Sequence, residues 1–109
     1  MSVISIRAFS RFAMQQPVRI APAGGDARKG LLVELTSDSC RIGGLDPELF
    51  TMQDHATVSV GRKQILAGTV RWKGDGMIGL RLDRPLLRAA MEGLLTLQGG
   101  PLDLRRYGT

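Results

Sequence analysis

The chain has 109 residues, enough for one domain around one core and too few for a second. Hydrophobic residues make up 43% and aromatics 5%, which excludes a disordered chain and leaves Leu, Ile, Val, Met and Ala to build the core. Fifteen Lys and Arg stand against ten Asp and Glu, a formal charge of +5, and the lone Cys40 excludes an intramolecular disulfide and argues against structural zinc.

Residues 1–15 lack a clear period, carry Arg7 and Arg11, and read as a flexible leading segment. Gln16 to Ala21 is expected as a first strand, with Val18 and Ile20 on one face and Arg19 on the other. Pro17 has no N–H to donate and belongs at the start of that strand or on an edge. Pro22-Ala-Gly-Gly-Asp26 is dense in turn residues. Gly30 to Thr36 reads as a second strand, with Val33 and Leu35 opposed to Leu32 and Glu34. Ser37-Asp38 makes a tight connection to a short third strand, Cys40-Arg41-Ile42. Asp46 to Asp54 is a loop with one helical turn, Asp46 capping it and Pro47 opening it.

Ala56 to Val60 is a fourth strand, followed by a hairpin turn at Gly61-Arg62-Lys63-Gln64. Ile65 to Lys73 is a longer strand, which Gly74-Asp75-Gly76 turns into Met77 to Leu82. There Ile78, Leu80 and Leu82 alternate with Gly79, Arg81 and Asp83. After Pro85 the period changes. Leu87, Ala90, Met91, Leu94 and Leu97 recur at helical spacing until Gly99-Gly100-Pro101 stops the element. The expected architecture is therefore mainly β: a small six-stranded antiparallel β-barrel with one C-terminal α-helix over an opening. Barrel and helix occupy residues 16–98, and 99–109 form a short basic tail.

The polar residues form no catalytic set. His55 is the only histidine and has no second His or Cys at ligand spacing. Cys40 opens an apolar strand and reads as a buried structural thiol, without a neighbouring base to make it a nucleophile. Glu34, Asp38 and Asp46 are scattered, and no glycine-rich phosphate loop precedes a helix. The expectation is a non-enzyme without cofactor or metal. No apolar stretch approaches the roughly 20 residues that cross a bilayer, and no signal peptide is evident, so a cytoplasmic protein is expected. Trp72 reads first as core, or as a strand-face anchor against the C-terminal helix, and only after those as a ring on which a ligand stacks. Arg71 and Arg81 fall on outward faces of neighbouring strands, where they would either repel or share an anion.

Three segments, in order, resemble a PilZ domain. The first is Arg7-Ala-Phe-Ser-Arg11, an R-x-x-x-R pair ahead of Pro17-Val18. The second is Leu32 to Ile42, at the position of the family's [DN]-x-S-x-x-G segment. The third is Ala67-Gly-Thr-Val-Arg-Trp72, a turn, and Ile78-Gly-Leu-Arg-Leu-Asp-Arg-Pro-Leu86, similar to the family's closing hairpin and its run into the helix. The resemblance spans roughly residues 7 to 98 and implies a site for the second messenger cyclic di-GMP. Arg7 and Arg11 would fork onto phosphate oxygens or guanine O6/N7 and offer cationic planes for stacking. The second motif departs from the family: Glu34, Thr36 and Ser39 stand where the family has Asp or Asn, Ser and Gly. Glu34 would accept from a guanine N–H and Thr36 would add a hydroxyl contact. Were Ser39 to keep the left-handed backbone open to glycine, it would cost about 1–2 kcal/mol.

The resemblance implies a receptor or effector module that relays cyclic di-GMP level to a partner protein. The alternative is a PilZ-fold adaptor that does not bind cyclic di-GMP and acts only through protein–protein contact, through an exposed apolar strip on the helix or on the Phe50 loop. Binding of single-stranded nucleic acid ranks third, because aromatics interleaved with the arginines are scarce.

Overall fold

The computed structural model describes residues 11–97. Arg7 and the basic tail 99–109 lie outside the described residues. Six antiparallel strands close into a barrel: β1 (Phe12–Pro22), β2 (Arg28–Leu35), β3 (Ser39–Gly43), β4 (His55–Val60), β5 (Lys63–Gly74) and β6 (Met77–Leu82). Their order around the wall is β1-β2-β3-β6-β5-β4, and β4 returns to pair with β1 from Arg19–Ser59 to Pro22–Ala56. One helix, α1 (Arg88–Leu97), follows the last strand. This is the six-stranded barrel with a C-terminal helix that the periodicity predicts.

Period-two burial explains the wall. Met14, Gln16, Val18 and Ile20 of β1 point inward, as do Leu66, Gly68 and Val70 of β5 and Ile78, Leu80 and Leu82 of β6. The strand begins earlier than expected, at Phe12, and Pro17 stands inside it opposite Leu31. That is tolerated because β4 joins β1 only from Arg19 onward, leaving one side of the strand unpaired at Pro17. In β2 the expected opposition of Val33 and Leu35 to Leu32 and Glu34 fails. The register slips between Leu32 and Glu34, so Leu32 and Leu35 are both buried. An extra residue in one strand of a pair shifts everything after it by one place.

Turn chemistry fixes the hairpins. Gly74 pairs with Met77, leaving Asp75 and Gly76 as a two-residue connection with φ of 54° and 74°. Positive φ at both central residues suits the right-handed twist of the flanking strands, and Asp-Gly supplies it at low cost. The preceding hairpin is tighter than expected: Val60 pairs with Lys63, so only Gly61 and Arg62 turn and Lys63 and Gln64 belong to β5. Gly68 is required by close approach, since a Cβ there would run into the backbone carbonyl of Arg81.

The two ends are plugged differently. The connection from β3 to β4 holds a 3-10 turn, Pro47–Leu49, where the Asp46 carboxylate accepts the Glu48 N–H at 3.0 Å. This turn delivers Phe50 into the barrel at 1% exposure, so the Phe50 ring is core and not an outer surface; Leu49 and Met52 are exposed instead. At the opposite end α1 inserts Met91, Leu94 and Leu95 into the same core. Met91 and Leu94 are buried as expected and Leu95 joins them, while Leu87, ahead of the helix, is 77% exposed and Ala90 faces out. Among the described residues no helix is long and apolar enough to cross a membrane.

Candidate functional site

Outward positions on neighbouring strands line up in rows across the wall. Register places Ala13 opposite Glu34, Glu34 opposite Arg41, Arg41 opposite Gly79 and Gly79 opposite Trp72. A second row runs Ser39, Arg81, Thr69, His55. Two arginines, a carboxylate, a hydroxyl and an indole thus meet on the outside of β2, β3, β6 and β5. Residues far apart in sequence are brought together because strands lie under 5 Å apart in the pairing direction.

Trp72 is on this outer wall, 39% exposed, and is neither core nor an anchor for α1. The inward sequence Leu66, Gly68, Val70 would carry Trp72 inward as well. The register slips between Val70 and Trp72, however, and the extra residue leaves Arg71 and Trp72 both exposed. The indole then lies over Gly79, whose Cβ, if present, would be 3.4 Å from Trp72 Cβ and 3.6 Å from Cε3. With no side chain between them, the Arg41 guanidinium reaches across and stacks on the indole at 5.0 Å from the ring centroid. An exposed contact of this kind contributes about 0.5–1 kcal/mol.

Arg41 also faces Glu34, with Nε 3.2 Å from Oε1, while Arg11 Nη1 lies 3.6 Å from Oε2 of the same carboxylate. Beside this set an open cleft of about 380 Å³ is lined by Asp38, Ser39, Arg41, Arg71, Trp72, Gly79 and Arg81. Arg71 and Arg81 have no carboxylate partner among the described residues. Among the described residues the wall therefore presents cationic donors without a carboxylate partner next to a cation–indole stack, a combination suited to an anion that carries flat rings.

Of the site residues read from sequence, Arg11, Glu34 and Ser39 come together on this wall, and Arg7 lies outside the described residues. Thr36 is buried at 8% in the β2–β3 turn. Its Oγ1 accepts the N–H of Ser39 at 3.0 Å and of Asp38 at 3.3 Å, donates to Asp38 Oδ1 at 3.1 Å, and lies 2.8 Å from Ser39 Oγ. Thr36 is thus the residue that shapes the turn, as short hydroxyl side chains do. Ser39 carries no left-handed strain: the non-glycine positive-φ residues among those described are Gln53 and Asp75, and Ser39 is ordinary strand paired with Arg81. Arg41 was not among the site residues read from sequence, and Trp72 was read first as core; both stand on the outer wall. Arg41 alternates with the apolar Cys40 and Ile42 and was legible as outward; Trp72 needed the bulge.

The remaining candidates stay apart from this wall's chemistry. Cys40 is buried, and burial pushes its thiol up to about 12 against a weaker opposing effect of a Leu80 backbone hydrogen bond. It is a structural thiol, as expected. His55, at the far end of the second row, has Nε2 2.7 Å from Asp83 Oδ2 with both side chains exposed, and no cluster of three metal-ligating side chains occurs among the described residues.

The β2–β3 turn is tied to the chain leading into α1. Leu82 N donates to the Asp38 carbonyl at 2.9 Å and Leu86 N to the Ser37 carbonyl at 2.6 Å.

No family model and no curated protein matches the chain. Solved structures do. The PilZ domain of CeSA, from a cellulose-synthesising bacterium, superposes with a TM-score of 0.60 at 16% identity, covering 83% of this chain and 95% of that one. The Borreliella burgdorferi PlzA protein in complex with c-di-GMP gives 0.58 at 12% identity, over 83% of this chain and 43% of PlzA. The Bacillus subtilis inhibitor of motility, MotI/DgrA, gives 0.57 at 13% identity, over 91% of this chain and 50% of MotI. At these identities the likeness is one of fold: the barrel and helix are arranged as in PilZ domain proteins.

Proposed function

We propose that this chain is a PilZ-like binding module, not an enzyme, and that it takes cyclic di-GMP on the outer wall of β2, β3, β6 and β5. The observation that carries the proposal is the row itself: Arg11 and Arg41 flank one carboxylate, Arg41 stacks on Trp72, and Arg71 and Arg81 wait beside them without acidic partners among the described residues. A ligand with two phosphodiesters and two guanines needs forked donors for its phosphates and for guanine O6/N7, and planes on which its bases stack. Arg11 and Arg41 supply the first; the Arg41–Trp72 stack supplies the second. Arg7, four residues ahead of Arg11, would add a further donor as the resemblance implies. PlzA, whose barrel has the same fold, was solved with c-di-GMP bound.

The output is a surface change read by a partner protein. Its route is supported by the two backbone hydrogen bonds that the carbonyls of Asp38 and Ser37, the turn residues next to Ser39, accept from Leu82 and Leu86 ahead of α1. The test is isothermal titration calorimetry of cyclic di-GMP into the wild type and an Arg11→Ala/Arg41→Ala variant, with circular dichroism as the control for folding. Micromolar or tighter binding that disappears in the folded variant is expected. An absence of heat from the wild type, together with an unchanged NMR spectrum, would sink the proposal and leave an adaptor that works through protein contact alone.

A further inference from the structure

We infer that Glu34 acts as an internal competitor for the ligand's phosphates, a carboxylate gate across Arg11 and Arg41. This rests on the cyclic di-GMP reading above and assigns Glu34 a role opposite in sign to a direct ligand contact. Glu34 is one methylene longer than the Asp or Asn of the motif it resembles, and its two oxygens divide between two arginines, Oε2 to Arg11 at 3.6 Å and Oε1 to Arg41 at 3.2 Å. Its side chain is only 25% exposed, against 68% for Arg11 and 46% for Arg41, so it sits lower on the wall than the donors it holds.

A phosphodiester approaching from solvent needs those same N–H groups. It must draw Arg11 and Arg41 away from Glu34, and it must do so against the charge of the carboxylate beneath. Arg41 has a second anchor in the stack on Trp72, so it keeps its plane while exchanging one anion for the other. Arg11 has no such anchor among the described residues and is the arm that swings. Glu34 therefore raises the ligand concentration at which the module responds, without being part of the bound contact.

Exposed ion pairs are individually weak, so the gate has a modest and measurable size. Titration calorimetry of cyclic di-GMP into Glu34→Gln is expected to give a dissociation constant roughly three- to tenfold lower than that of the wild type. Glu34→Asp keeps the charge but withdraws it by one methylene, and its affinity is expected to fall between the two. Glu92→Gln removes a like charge from the exposed face of α1 and should leave the affinity unchanged. A gain of affinity cannot come from damage to the fold, which makes the sign decisive. Equal or weaker binding by Glu34→Gln, where the wild type binds, overturns the gate and makes Glu34 a ligand contact. Silence in all the proteins overturns the cyclic di-GMP reading and the gate with it.

Discussion

The inner and outer faces of β3, β6 and β5 are built from alternate residues of the same strands yet obey different rules. Inside, Cys40, Ile42, Ile78, Leu80 and Val70 are at most 2% exposed, and each is placed by the simple alternation of a half-buried strand. Outside, Ser39, Arg41, Gly79, Arg81 and Trp72 make a patch in which position depends on register across three strands. The inner face tolerates chemical monotony because burial of apolar area is non-directional. The outer face works only if a guanidinium, a bare glycine and an indole fall in line, and a slip of one residue would scatter them.

Three measurements bear on that contrast. The largest effect should come from inside. Leu80→Ala removes a side chain that is 1% exposed from the centre of the wall and is expected to cost about 2–5 kcal/mol, read as a lower denaturation midpoint. A cost near zero would mean that the barrel core is loose and that the outer row is not held by it. Trp72→Ala acts on the outside. It should lower affinity for cyclic di-GMP by roughly tenfold, in keeping with about 1–3 kcal/mol for a base stacked on an aromatic ring, while changing the melting temperature little. If stability falls and affinity does not, Trp72 is a packing residue and the two faces obey the same rule.

The smallest effect at neutral pH should be that of Cys40. Burial raises its thiol from 9.0 to about 12, so the folded chain holds a proton that the unfolded chain releases. The sign follows: stability is unaffected below about pH 9 and is lost as the pH rises towards 12. Cys40→Ala should flatten that alkaline slope, and alkylation of the wild type at pH 8 should proceed only as fast as the chain unfolds. Rapid alkylation of the native protein would place Cys40 on the outer face after all.

Much of the fold was legible in advance because burial leaves a period in the chain. The bounds Met77 to Leu82 follow directly from Ile78, Leu80 and Leu82, and Asp75-Gly76 announces its own turn. Asp46 and Pro47 likewise mark their helical turn. The misreadings share one cause. Val33, Trp72 and the start of β1 lie where register slips, and a bulge has no compositional signature as strong as a turn does. Leu87 was misread for a related reason, since a residue beside a helix is buried or exposed only by what it meets, whereas the Phe50 loop does expose apolar side chains, at Leu49 and Met52.

The candidate site divides the same way. Arg11, Glu34 and Ser39 were reachable from the motif they resemble, and the structure sets them on one wall. Thr36 was reachable too, but its hydroxyl turns into the β2–β3 connection because backbone N–H groups there need an acceptor.

The sequence by itself determined that six apolar-alternating segments and one amphipathic helix must close on a single core, because burial period and turn residues are local properties. Only the tertiary structure decided that Arg41 lies on Trp72 across Gly79, and that Glu34 spans Arg11 and Arg41. Those contacts depend on strand order and on the position of each bulge, which arise from pairing between distant segments and leave no trace in any one of them.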